Sequence, residues 1–252
     1  MKFLHFDNRQ YVQFPRLSAA PGLRHGYTTR PQNVSPKPGP DMDICAENRA
    51  QAARDFGFSP AALCYTRQIH KPNLAVIEEG SSRGVYEGVD GLITRAAGVP
   101  LMTFSADCPL ILVYDPARRV LGMVHSSWRC TVALATSKLV DRMRSEFGVA
   151  SELLLAGIGP SAGPENYEVG EEVVEAAGAL PERDAHFVRR EGKIFFDLWS
   201  ANRALLMSAG VPEENIETAE ICTMDRTDLF YSYRREGAGC GHFGLLAGIV
   251  DA

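Results

Sequence analysis

The chain contains no stretch approaching the roughly twenty apolar residues needed to span a bilayer. It also has no run of like charge. Its 26 basic and 31 acidic residues give a net charge of −5 and are dispersed. The longest basic clusters are pairs such as Arg118-Arg119, Arg189-Arg190 and Arg234-Arg235. Gripping nucleic acid by its phosphates takes a basic stripe, so neither nucleic acid nor a membrane is an expected partner. Signal-peptide character is missing too: Met1-Lys2-Phe3-Leu4-His5-Phe6-Asp7 offers no apolar core and no small-residue cleavage site. A cytoplasmic, reducing setting is expected, in which the six cysteines act as ligands, nucleophiles or core residues rather than as disulfides. There is no internal repeat, low-complexity tract or linker. With 252 residues, 45% of them hydrophobic, a single domain over 1–252 with a sizeable core is expected.

What is present reads as many short strands and few helices. Alternation predicts strands at 10–14 and 23–29, followed by a Pro/Gly-rich loop at 31–40 and a helix at 46–56. Further strands are expected at 63–70, 74–78 and 101–104. A hairpin follows, 110–114 and 120–125 around the turn Asp115-Pro116-Ala117-Arg118. Val132, Ala135, Leu139 and Met143 recur at helical spacing and predict a helix over 131–147, stopped by Gly148. Residues 153–156 read as a short buried strand. Asp197 is a good N-cap for a helix reaching Gly210. Strands at 216–222, 229–233 and 244–250 close the chain. Without a strict βαβ rhythm, the pattern favours an α/β (α+β) mixed-sheet sandwich with flanking helices over a doubly wound fold.

Three of these apolar segments each carry one metal-binding side chain: Thr66-Arg67-Gln68-Ile69-His70, Ser105-Ala106-Asp107-Cys108-Pro109-Leu110 and Gly122-Met123-Val124-His125-Ser126-Ser127-Trp128. Two imidazoles and a thiol leave a tetrahedral ion one open position, as catalytic zinc requires. Satisfied core histidines and an inert buried thiol account for the same residues, because the three lie tens of positions apart. Gly157-Ile158-Gly159-Pro160 after a buried strand is a weak phosphate-loop signal, since its prolines oppose immediate helix entry. Cys222 could be a nucleophile or a buried thiol. Asp90-Gly91 reads as a turn; Arg234 and Arg235, after Tyr231-Ser232-Tyr233, could bind an anion, with surface charge the default.

Taken in order, Gly26-Tyr27-Thr28-Thr29-Arg30, Glu47-Asn48-Arg49, Gln68-Ile69-His70, Val89-Asp90-Gly91, Ala106-Asp107-Cys108-Pro109, Val124-His125-Ser126-Ser127-Trp128-Arg129, Tyr167-Glu168-Val169-Gly170, Asp197-Leu198-Trp199, Cys222-Thr223 and Ser232-Tyr233-Arg234 resemble the YfiH family of bacterial proteins. That family is variously labelled multicopper polyphenol oxidase, peptidoglycan editing factor and purine nucleoside phosphorylase. The resemblance implies a sandwich similar to the catalytic domain of cytotoxic necrotizing factor toxins. It also implies one zinc on His70, Cys108 and His125. The chain departs from the family where His-Ala-Gly-Trp-Arg-Gly reads His125-Ser126-Ser127-Trp128-Arg129-Cys130. It departs again after the Tyr-Arg segment, where the family's Thr-Gly-Arg is replaced by Ala238-Gly239-Cys240-Gly241-His242.

The resemblance implies a zinc-dependent enzyme acting on small molecules, namely purine nucleosides, by adenosine deamination or by phosphorolysis of adenosine, inosine and methylthioadenosine. Phosphorolysis needs a cationic pocket, for which Arg49, Arg67 and Arg129 are the candidates. Tyr167 and Cys222 join them as candidate substrate contacts, and Asp107 and Glu168 are weaker candidates for proton transfer. The alternatives are a copper polyphenol oxidase, a hydrolase removing L-Ser from a UDP-muramyl precursor, and a non-catalytic nucleoside binder. Two histidines and a cysteine also suit copper. An ordinary multicopper oxidase is not expected, because only six histidines are present and the other four form no His-x-His pair. A fourth protein ligand, Cys130 or Cys222, would instead indicate a structural ion.

Overall fold

The strand Leu110–Asp115 divides its side chains between two apolar neighbours rather than between core and solvent. Leu110, Leu112 and Tyr114 join one hydrophobic cluster, Ile111 and Val113 another. A strand covered on both faces must lie inside a layered structure. The structure is a computed structural model that describes residues 1–37 and 39–250. Position 38 of the expected 31–40 loop, and residues 251–252, lie outside the described residues.

Among the described residues there are two large sheets and one small one. The first runs Lys2–Phe6, Arg9–Gln13, Leu23–Thr28, Phe243–Ile249, Leu101–Ser105, Cys64–Arg67, Gly84–Glu87 in space. The second runs Ile216–Thr218, Leu155–Ile158, Leu110–Asp115, Val120–His125, Gly91–Thr94, Leu74–Ile77. Both mix parallel and antiparallel pairs. Tyr27, Leu101 and Leu245 of the first sheet pack with Leu92, Leu112 and Met123 of the second, all fully buried. Each such side chain contributes about 1.5–3 kcal/mol on burial. Helix Met42–Asp55 covers the outer face of the first sheet through Ala52 and Ala53. Helices Ala135–Phe147 and Leu198–Ser208 cover the second through Leu139, Met143 and Leu206. The expected mixed-sheet sandwich with flanking helices is therefore observed. No helix among the described residues is long and apolar enough to cross a membrane.

Local signals explain several boundaries. Asp197 Oδ1 accepts from the backbone N–H of Trp199 and Ser200, both at 3.0 Å, capping the following helix. Gly148 ends its helix at φ 64°. Gly157 and Gly159 stand where a Cβ would run into the rings of Phe14 and Tyr27, so packing between the sheets explains that glycine pair.

Four expectations are corrected. The helix expected over 131–147 is two, Trp128–Val132 and Ala135–Phe147, broken by Leu134 at φ 61°. The break lets Thr131 join Ser126 in a buried network on Asn202 while Leu139 and Met143 still face the sheet. The strand expected to reach 70 stops at Arg67, because the next N–H groups turn to a carboxylate. The strand expected over 216–222 shrinks to Ile216–Thr218, and 229–233 forms turns and then helix Tyr233–Glu236, capped by Ser232 Oγ. A three-stranded sheet of Glu168–Val169, Lys193–Phe196 and Phe187–Arg190 was not foreseen.

Candidate metal centre

His125 is the last residue of Val120–His125 and inherits that strand's rigidity. Its N–H donates to the Asp90 carbonyl at 2.8 Å, and its Nδ1 lies 2.9 Å from Asp90 Oδ1, with both side chains buried. A carboxylate only accepts, so Nδ1 carries the hydrogen and Nε2 is left to face outward. Asp90 also accepts from the backbone N–H of Ile69 (2.9 Å), His70 (3.0 Å) and Lys71 (3.2 Å). Burial alone would raise the Asp90 pKa, but the hydrogen bonds from His125 and these backbone groups hold it below its ordinary value.

Those same backbone bonds fix His70 in a left-handed turn at φ 59°. His70 is exposed as a residue, yet partial burial of its ring, followed by the charge of His125, lowers its imidazole to about 4. The rings of His70 and His125 stand perpendicular with centroids 5.0 Å apart.

Cys108 sits on the connection after Leu101–Ser105, where Ser105 Oγ donates to its carbonyl at 2.7 Å. Burial, then the charge of Asp107, pushes its thiol well above the ordinary range. Asp107 itself, at φ 105°, is turned to other work. Its Oδ1 accepts from Thr223 Oγ1 and its Oδ2 from the Arg234 N–H, both at 2.7 Å. The weak proton-transfer candidate Asp107 is thus a tie between this connection and the C-terminal segment. Glu168 is held at Oε2 by Lys193 at 2.8 Å.

One donor atom each from His70, Cys108 and His125 lies within 4.8 Å of the other two. The donor set fits an ion: two imidazoles and a thiol suit zinc or copper, and the carboxylate behind His125 is the usual support for a metal-binding histidine. Among the described residues no fourth side chain joins this trio. Cys130 belongs instead to a fully buried group with Asp90 and the same His125. Burial above all pushes the Cys130 thiol up to about 12. Cys222 Sγ accepts from Gly163 N–H at 3.2 Å and Asn166 Nδ2 at 3.3 Å, away from the trio.

The other candidates divide. The Arg129 guanidinium lies over the Trp128 ring, 4.2 Å from its centroid, near enough for its charge to act on His70. Tyr167 is buried beneath the Arg234 guanidinium, 4.7 Å away, and interacts with Cys108. Trp128, Glu168 and Arg234 line a cleft of about 380 Å³ beside them. Arg49 is instead buried, bracing Val34 and Ser35 carbonyls at 3.2 and 2.6 Å, and lines a different cleft with Tyr65 and Arg83. Arg67 Nη1 pairs with Glu87 at 2.6 Å.

From sequence, Asp90 and His242 have no role at the site, and Arg234 reads as surface charge before anion binding. Asp90 looked like an ordinary Asp-Gly turn, although a carboxylate amid apolar segments needs donors. His242 precedes the strand Phe243–Ile249, whose first residue pairs with Ser105. Burial, then the charges of Lys37, His125 and His70, lowers its imidazole to about 3, and its buried Nδ1 has no protein partner.

A family model described as multi-copper polyphenol oxidoreductase laccase matches residues 24–250. A purine nucleoside phosphorylase of Bacteroides thetaiotaomicron is 32% identical over 96% of this chain and 97% of its own length. Adenosine deaminase RL5, from an unknown prokaryote, is 34% identical over 81% of each chain. The crystal structure of YlmD from Geobacillus stearothermophilus superposes with a TM-score of 0.90 over 99% of both chains at 27% identity.

Proposed function

We propose that this chain, which belongs to the multi-copper polyphenol oxidoreductase laccase family known also by YfiH, is a zinc-dependent enzyme that deaminates or phosphorolyses purine nucleosides. The observation that carries this reading is the trio His70, Cys108 and His125, joined by no fourth side chain among the described residues and backed by Asp90. Relatives covering most of its length are named for purine nucleoside phosphorolysis and adenosine deamination. Residues 1–252 act as one unit in this reading, since a single cluster takes side chains from Val12 to Ile249. Six free thiols suit a reducing cytoplasm.

His70, Cys108 and His125 would hold the ion, which when bound supplies Lewis acidity at an open coordination position. The chain's own residues do the rest. Asp90 keeps the hydrogen on His125 Nδ1 and so keeps the Nε2 lone pair available. Arg234, over the Tyr167 ring, brings positive charge to the cleft, and Arg129, over the Trp128 ring, adds positive charge beside it, which suits phosphate or a nucleoside hydroxyl. Trp128 gives flat apolar surface on the cleft wall. His242, whose buried ring nitrogen has no protein partner, lies close enough for the charges of His70 and His125 to act on it.

The test is metal content by mass spectrometry of protein purified without chelator, followed by a nucleoside panel with and without phosphate. About one zinc per chain and turnover of adenosine or inosine are expected. Cys108→Ala should lose both, with its far-ultraviolet circular dichroism unchanged. Wild-type kinetics in Cys108→Ala would sink the reading. Several coppers per chain with phenol oxidation would replace it by the polyphenol oxidase alternative.

A further inference from the structure

The Asp90 carboxylate collects an unusual number of donors. Its Oδ1 accepts from His70 N–H at 3.0 Å, His125 Nδ1 at 2.9 Å and Cys130 Sγ at 3.7 Å. Its Oδ2 accepts from Ile69 N–H at 2.9 Å and Lys71 N–H at 3.2 Å. Asp90 is completely buried. A buried charge keeps its place only if its lone pairs are used, and here the users are two members of the trio. The strand Cys64–Arg67 has ended before Ile69, so the three backbone donors take no partner from a sheet ladder. The position of Cys130, where the family commonly has glycine, adds a weak third donor on the oxygen that already holds both histidines.

We infer that Asp90 is a positioning residue that makes the two histidine ligands one unit, with Cys130 bracing its Oδ1. This inference rests on the metal reading above. An Asn at 90 keeps the size of the side chain but turns an NH₂ toward at least two N–H donors. The turn carrying His70 then loses its anchor at the same moment as His125 loses the acceptor that fixes its tautomer. At Cys130, Ser preserves a donor and Ala removes it.

The experiment measures zinc affinity of the full chain by competition with a chromophoric chelator, together with the absorption spectrum of the cobalt-substituted protein and its thermal unfolding. Asp90→Asn should bind zinc about 10- to 100-fold more weakly, with altered cobalt bands. Cys130→Ala should weaken it by about 2- to 10-fold, and Cys130→Ser should restore the wild-type value and spectrum. A residue important only for stability would shift the unfolding temperature and leave the cobalt bands alone. Wild-type affinity and spectrum in a folded Asp90→Asn variant overturn the inference while leaving the metal reading intact. So do two ions per chain with the second lost on changing Cys130, which would make Asp90 a ligand. If Asp90→Asn does not fold, the Cys130 pair decides: equal affinity for Ala and Ser overturns the proposal. A wild-type protein that binds no zinc at all instead defeats the reading on which it rests.

Discussion

His125 and His70 offer the same ring to the same point by opposite means. His125 ends a six-residue strand buried along its whole length, and its side chain is 3% exposed. His70 stands on an exposed turn beyond the end of its strand, in a left-handed conformation held by bonds to a carboxylate 20 residues away. One ring is placed by a sheet, the other by a single side chain. The contrast shows how two rings can be brought together from segments with no common secondary structure: what they share is Asp90.

Removing the sheet-borne ring is the strongest way to break this comparison. His125→Ala takes a donor from a buried carboxylate and should cost about 3 kcal/mol in stability by urea unfolding, besides abolishing zinc binding. A third histidine sharpens it. His25 is as buried as His125 but has no carboxylate; its Nε2 accepts from Phe14 N–H at 3.1 Å, and burial lowers its imidazole to about 3. The unfolded chain takes up this proton below about 6.5 and the folded chain does not. Its contribution to stability is therefore complete above that pH and is lost as pH falls from about 6.5 toward 3. Stability against pH should slope by up to about 1.4 kcal/mol per pH unit more in the wild type than in His25→Phe across that window. The smallest structural effect belongs to the turn-borne ring. His70→Ala should unfold within about 0.5 kcal/mol of the wild type without metal, yet fail to retain zinc. A large loss of apo stability there would show that the two ligands are held alike.

The same contrast explains what could be read in advance. The hairpin around Asp115-Pro116-Ala117-Arg118, the cap at Asp197 and the stop at Gly148 are local, so adjacent residues reveal them. His70, Cys108 and His125 were visible as residue types in apolar surroundings. Asp90 was not, because its partners are 20, 35 and 40 positions away and its neighbour Gly91 made it resemble a turn. Leu134 broke a helix whose apolar spacing runs through the break undisturbed. The segment 219–236 misled for a related reason: its apolar residues pack into the core from turns, and its backbone donors go to Asp107 and to each other. Arg49, a motif residue with the right charge, is consumed in bracing the loop at 34–35.

The strand Phe243–Ile249 lies in the middle of the first sheet, between Leu23–Thr28 and Leu101–Ser105. During synthesis all three donor side chains leave the ribosome long before that strand exists. Until it arrives, the strand leading to Cys108 lacks one of its neighbours, and until residues 223 and 234 are made, Asp107 lacks the Thr223 and Arg234 donors that hold it. A nascent chain therefore carries every donor atom and no finished centre.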